Sequence, residues 1–257
     1  MNNDMKGFHA VITGASYGMG FEMAKALLSH GATVAIGARA GERLEKAYAA
    51  LKAEGFDVHA LKMDVRNVES VDAAAAWVAD NWPRLDMLVN NAGISMNVIK
   101  NNFGTKPDLF FNIAPQDFYD VVETNFIGYF LVARAFVPIM LRHGGGKMVN
   151  ISTGYGIMVD RGQLPYGPSR AGAEAMSVIM SKQLMDLGIM VNSLSPGGLV
   201  ATGFVPEEAR VREKLDLLDA SIMNDVILFL ASDRSAGITG EKITATEFGK
   251  WLEEKGI

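Results

Sequence analysis

In the stretch YGPSR, residues 166–170, a phenol and a guanidinium stand four residues apart. On a helix this spacing puts Tyr166 and Arg170 on one face. A phenol ionises near pH 10, roughly, so it titrates near neutrality only with a cation to help it. The pair is therefore either a proton donor and its tuner or a surface pair of no consequence.

A second chemical feature lies near the start. The apolar run HAVIT (9–13) leads directly into TGASYGMG, in which Gly14, Gly18 and Gly20 open a helix around Ser16, Tyr17 and Met19. Glycines there permit a tight turn, close approach of backbone to phosphate and packing of helix on strand. The helix N-terminus then favours a pyrophosphate. Glycines also serve as plain turn punctuation, but this strand–turn–helix context points to nucleotide binding. The next apolar run ends Gly37-Ala38-Arg39. A carboxylate here would accept from a ribose hydroxyl, whereas an arginine can hold a 2′-phosphate, so NADP is favoured over NAD. Arg39 as a solvated charge at the start of the next helix is the alternative, and Tyr17 brings no cation of its own. Asp64, with Val65 beside it, ends the third run and either contacts adenine or caps a turn.

The elements that position these groups alternate. Strand-like runs at 9–13, 33–38, 58–63, 86–91, 147–152, 189–195 and 241–246 are separated by helical patterns, including one long helix from Pro115 to Arg142. Strands this apolar are buried on both faces, and the alternation predicts an α/β domain of Rossmann type. Its doubly wound parallel sheet would carry helices on both sides. The 257 residues suit a single domain, with a cofactor-binding half to about residue 145 and a catalytic, substrate-binding half after it. A formal charge of −5 without a basic block argues against nucleic acid. Cysteine is absent, which excludes disulfides and thiolate chemistry. The N-terminal stretch has no secretory pattern, and apolar runs such as VILFLA are short for a membrane span. A cytoplasmic protein is expected. His9 and His59 sit in strand patterns with no metal-ligand spacing, so no metal is expected.

TGASYGMG, Asp64, Asn90-Asn91-Ala92-Gly93, Asn125, Asn150-Ile151-Ser152-Thr153, Tyr166 with a cation four residues on, and Asn192 to Pro196-Gly197 occur in the order seen in short-chain dehydrogenases/reductases. The resemblance covers nearly the whole chain. It implies a nicotinamide cofactor, NADP(H) or NAD(H), interconverting a secondary alcohol and a ketone, usually in a homotetramer or dimer. By position it makes Tyr166 the general acid/base and Asn125 the support of a proton-relaying water. The serine that holds the carbonyl oxygen falls on Thr153, 13 residues before Tyr166; a loop one residue longer would give that role to Ser152. Only one of the two can face the site, because side chains alternate along a strand. The family lysine is Arg170 here. Arginine keeps its charge and can bond ribose hydroxyls, but it cannot give up a proton at working pH. The expectation is an active enzyme with a rearranged proton path. The alternatives are a nucleotide-binding scaffold that has lost turnover, and a dehydratase or epimerase on the same fold. Asn90, Asn91, Ala92 and Gly93 are expected to shape the backbone beside the adenosine. Pro196, Gly197 and Thr202 are expected near the nicotinamide, Thr202 only if its loop carries an extra residue.

Two loops bear on specificity. Asn125 follows Gly93 by 32 positions, and the segment ISMNVIKNNFGTKPDLFFNIAP is either a pocket wall or a surface insertion packing its own phenylalanines. The loop before Tyr166 offers Tyr155, Met158, Arg161 and Gln163 to a small-molecule substrate. The stretch after Thr202 reads as a short charged helix, a flap over the cofactor.

Overall fold

The computed structural model describes residues 5–96, 109–203 and 216–257. Seven parallel strands form one sheet in the order β3-β2-β1-β4-β5-β6-β7. They are β1 (His9–Thr13), β2 (Thr33–Ala38), β3 (Val58–Lys62), β4 (Met87–Asn90), β5 (Gly146–Ile151), β6 (Ile189–Ser195) and β7 (Lys242–Thr244). Period-two alternation sends neighbouring side chains to opposite faces. Ile12, Ile36 and Val89 accordingly join one core with Met23, Leu27, Val226 and Ile227. Val11, Ala35 and Leu88 join the other with Val71, Val132 and Phe136. The first core is covered by α1 (Gly18–Ser29), α2 (Glu42–Ala53) and, later in the chain, Asn224–Ala231; the second by α3 (Val68–Asn81).

The long helix predicted from Pro115 is α4 (Pro115–Val122), a π-helical turn (Glu123–Ile127) and α5 (Gly128–Leu141) in continuous succession. This stretch is apolar and long enough to cross a membrane by length and composition, which sequence reading did not flag. Half of its apolar window is buried, and α5 packs on α3 and β4 as a layer of the sheet. After β5 come the single turn α6 (Tyr155–Met158) and α7 (Tyr166–Leu184), then α8 (Asn224–Ala231) and α9 (Phe248–Lys255). Pro168 is tolerated in the first turn of α7, where its missing N–H has no helical partner. Ser169, Ala173, Ser177 and Ser181 repeat every fourth residue and are buried, so α7 lies close against the sheet with a stripe of small side chains.

The chain runs outward from β1 in both directions, to β2 on one side and β4 on the other. A crevice opens beyond the strand ends at such a switch point. Here it is a cleft of about 1630 Å3, bordered by the β1–α1 turn, the ends of β2 to β6 and the start of α7.

Candidate active site

The cofactor end of the cleft is built on backbone. Gly14 adopts φ +64°, and a Cβ there would lie 2.6 Å from the Ala92 Cα, so a side chain is excluded by both conformation and space. Thr13 Oγ1 accepts from the N–H groups of Asn91 and Ala92 at 3.0 Å each. The Asn91 amide donates to the carbonyls of Thr13 (2.9 Å) and Gly14 (3.1 Å). These bonds lock the glycine turn to the end of β4. Ser16, Tyr17, Gly18, Met19 and Gly20 line the cleft with it. Thr202 is buried, lines the cleft and packs its methyl group towards Gly18, whereas Ala201 is exposed and stays outside. Pro196 and Gly197 border the same region.

Arg39 lines the cleft beyond β2. Tyr17 does bring a cation after all: the Arg43 guanidinium, from the first turn of α2, lies 4.6 Å from its ring centroid. Arg43 also lines the cleft, and sequence reasoning missed it. Its signal was a second arginine shortly after the strand. Asp64 closes a turn: its carboxylate accepts from the backbone N–H and Nε of Arg66 at 3.1 Å and from Nη2 at 2.8 Å. The Arg66 hydrogen bonds hold the Asp64 carboxyl below its ordinary range against partial burial. Asp64 and Val65 both remain on the cleft wall.

At the other end, Tyr166, Arg170, Ser152 and Thr153 border the cleft, together with Gly93. The Ser152 hydroxyl donates to Glu174 Oε2 at 2.7 Å, and Lys242 Nζ donates to Glu174 Oε1 at 2.9 Å. Among the described residues the Thr153 hydroxyl makes no hydrogen bond. Arg170 is 3% exposed. Its Nη1 donates to the Tyr129 hydroxyl at 2.7 Å and to the Ile151 carbonyl at 2.9 Å, and the guanidinium lies 5.4 Å from the Tyr166 ring centroid. Burial opposes its charge, but the oxygens of Tyr129 and Tyr166 outweigh that and hold its pKa above the ordinary arginine value. Asn125 sits in the π-helical turn and is fully buried. Its Oδ1 accepts from the Ile94 N–H at 2.8 Å, and its amide donates to the Ile94 carbonyl (2.9 Å) and Ser169 Oγ (3.2 Å). The side chain therefore clamps the segment just after Gly93 to α7. Asn90 donates to Asn150 and Asn150 to Ser177, a chain of amides behind the site.

The specificity loop departs from expectation. Arg161 and Gln163 line the cleft, but Tyr155 and Met158 do not. Met158 is buried under Gly167 of α7, and Tyr155 is 72% exposed. A one-turn helix at this point turns Ile157 to the cleft instead, and Leu164 joins it. From the long loop, Phe110 lines the cleft mouth and packs edge-on to the exposed Phe111. Asn97, Asn101, Asn102 and Phe103 lie outside the described residues, as does most of the charged stretch after Thr202. Among the described residues there is no cluster of side chains suited to a metal.

A family model described as short chain dehydrogenase matches residues 8–212. A 3-oxoacyl-[acyl-carrier-protein] reductase of Staphylococcus aureus is 32% identical over 243 residues, covering 91% of this chain and 94% of the relative. One from Aquifex aeolicus is 30% identical, covering 95% and 97%. Among solved structures, a putative short-chain alcohol dehydrogenase from Sinorhizobium meliloti superposes with a TM-score of 0.80 at 30% identity, over 97% of this chain and 99% of that one. An actinorhodin polyketide ketoreductase with NADPH gives a TM-score of 0.80 at 26% identity, over 94% and 97%.

Proposed function

The chain belongs to the short-chain dehydrogenase/reductase family, and from that premise we propose that it is an NADP(H)-dependent oxidoreductase interconverting a ketone and a secondary alcohol. The observation that carries this reading is one cleft lined by Tyr166, Thr153 and Arg170 at one end and by the glycine turn and Arg39 at the other.

The glycine turn fits a dinucleotide, since Gly14 at φ +64° packs its bare Cα against Ala92 and Gly18 follows at φ +61°, a tight turn of the kind that brings backbone up to a phosphate. The turn from Gly14 to Gly20 would hold the pyrophosphate, and Arg39 with Arg43 the 2′-phosphate. Asn91, Ala92, Gly93, Pro196, Gly197 and Thr202 would flank the remainder. When bound, the nicotinamide supplies or accepts the hydride. Thr153 donates its hydroxyl to the substrate carbonyl oxygen as negative charge develops there. Tyr166 gives its proton to that oxygen in reduction and takes it back in oxidation. Arg170 keeps a positive charge beside the phenol and passes on no proton of its own. Asn125 positions, holding Ile94 and Ser169 in register.

The cleft mouth adds Phe110, Ile113, Ile157 and Leu164 to the cations and amides, which favours a ketone with an apolar body. The names of the relatives favour the reductive direction and place 3-oxoacyl thioesters on the test panel. We assign it to the cytoplasm as a homo-oligomer, tetramer or dimer. Exposed Tyr119, Ile127 and Phe130 along α4 and α5 support association, and light scattering tests it.

Reduced-nicotinamide absorbance, followed with NADPH and NADH against a panel of ketones and oxoacyl thioesters, tests the function. Turnover that prefers NADPH is expected. Tight cofactor binding with silence across the panel would instead indicate a nucleotide-binding scaffold.

A further inference from the structure

Arg170 is a buried cation without a buried anion. Among the described residues no carboxylate pairs with it, and its Nε has no hydrogen-bond partner. What surrounds the guanidinium is aromatic: its centre lies 5.4 Å from the ring centroid of Tyr166 and 5.7 Å from that of Tyr129. Tyr129 comes from α5, is 1% exposed, and has its hydroxyl between two partners. It accepts from Arg170 Nη1 at 2.7 Å and donates to the Ile151 carbonyl at 3.1 Å. That same carbonyl accepts from Nη1 at 2.9 Å, which closes a three-membered ring of hydrogen bonds. Nη2 is aimed at Gly93, where a Cβ would run into it. Burial pushes the Tyr129 phenol up, with Arg170 opposing, so the hydroxyl stays neutral and its proton stays on the bond to Ile151.

We propose that Tyr129 is a positioning residue of the site, fixing the guanidinium of Arg170 against Tyr166, so that Tyr129 and Arg170 work as one unit. The reason is geometric. A guanidinium is planar and offers donors at fixed angles, so anchoring Nη1 sets the direction of the whole group. Without the Tyr129 hydroxyl, Nη1 keeps only the Ile151 carbonyl, and the direction of the fork towards Tyr166 is less firmly set. A lysine at 170 has no fork to match this ring of bonds. Its ammonium would be drawn to the Tyr129 hydroxyl and the Ile151 carbonyl, away from Tyr166.

The inference rests on Tyr166 as the acid/base, and its test has a readout independent of turnover. Phenolate absorbance is titrated in the wild type and in Tyr129→Phe, each against the same protein carrying Tyr166→Phe, so that the difference reports Tyr166 alone. The Tyr166 phenolate is expected to form at a pH higher by roughly half a unit or more in Tyr129→Phe. An unmoved titration overturns the proposal, whether or not a substrate has been found. With an active wild type, Tyr129→Phe is expected to lower kcat roughly ten- to a hundred-fold with KM within two-fold. Arg170→Lys is expected to cost less in the Tyr129→Phe background than alone. Additive losses in an active enzyme overturn the role of Tyr129 and leave the function standing. Should Tyr129→Phe fail to fold, Tyr129→Phe/Arg170→Lys carries the test. It is expected to turn over faster than Arg170→Lys alone, and equal or slower turnover overturns the proposal.

Discussion

The Ser152 hydroxyl donates to Glu174 at 2.7 Å, which ties Ser152 to α7, while its neighbour Thr153, on the same cleft wall, has no hydrogen bond from its hydroxyl among the described residues. Glu174 is held in turn by Lys242 of β7 at 2.7 Å. Thr153→Ala is therefore expected to lower kcat roughly a hundred-fold or more, as loss of a donor to a developing oxyanion does. Thr153→Ser should retain most of the rate. Ser152→Ala should instead cost about 1–2 kcal/mol in urea unfolding with kcat nearly unchanged. Steady-state kinetics beside equilibrium unfolding separates the two, and a reversal of the two effects would exchange the assignments.

Tyr166→Phe removes the proton donor and keeps the ring beside Arg170. A fall in kcat of roughly 10²–10⁴ is expected, with cofactor affinity unchanged. Nicotinamide fluorescence titration gives the affinity. A variant with wild-type rate would take Tyr166 out of the mechanism.

Arg39 and Arg43 flank the end of β2, and Arg43 is steadied on the Tyr17 ring. Each charge-assisted bond to a 2′-phosphate is worth about 1.5–3 kcal/mol. Arg39→Ala/Arg43→Ala should weaken NADPH by at least about a hundred-fold on that scale while leaving NADH nearly unaffected. Calorimetric Kd values for both cofactors check this; equal losses for the two would assign the arginines to something other than the phosphate.

A Cβ at Gly93 would meet the Arg170 guanidinium, which is boxed in by Tyr129 and the Ile151 carbonyl and cannot swing aside. Overpacking of this kind costs about 1–3 kcal/mol, which lowers Tm by roughly 3–10 °C in a domain of this size. At Gly156 a Cβ would meet open space, so Gly156→Ala is the control and should melt with the wild type. Similar melting of both variants would show that the guanidinium yields.

Burial holds the His59 imidazole below its ordinary pKa, with Asp57 pulling the other way. His59 lies 5.2 Å from Trp77 and 5.8 Å from Trp82, ring to ring. As pH falls through about 6.5 the unfolded chain takes up this proton first, so stability is full above that pH and declines below it. Between roughly pH 7 and 5 the Tm should fall less steeply in His59→Gln than in the wild type. Parallel profiles would assign the acid sensitivity elsewhere.

The alternation of apolar runs and amphipathic helices was enough to read the parallel sheet, because strands covered on both faces must be apolar throughout. HAVIT, TVAIGA and IMVNSLS coincide with β1, β2 and β6 to the residue. The π-helical turn around Asn125 was not legible, since a one-residue widening inside a helix leaves the apolar pattern on either side intact. That Tyr155 and Met158 lie off the cleft lining was not legible either, because a one-turn helix rotates the loop by an amount that spacing alone does not encode.

By itself the sequence determined the kinds of groups in the site: a glycine turn opening a helix, a phenol and a guanidinium one helical turn apart, and two adjacent hydroxyls. Those are local patterns, fixed by neighbours along the chain. Only the tertiary structure decided which hydroxyl is tied to Glu174 and what holds Arg170. Glu174 reaches Ser152 from 22 residues away and Tyr129 reaches Arg170 from 41. Such partners meet because β5, α5 and α7 pack side by side, and the packing of separate elements sets which distant side chains come within hydrogen-bonding distance.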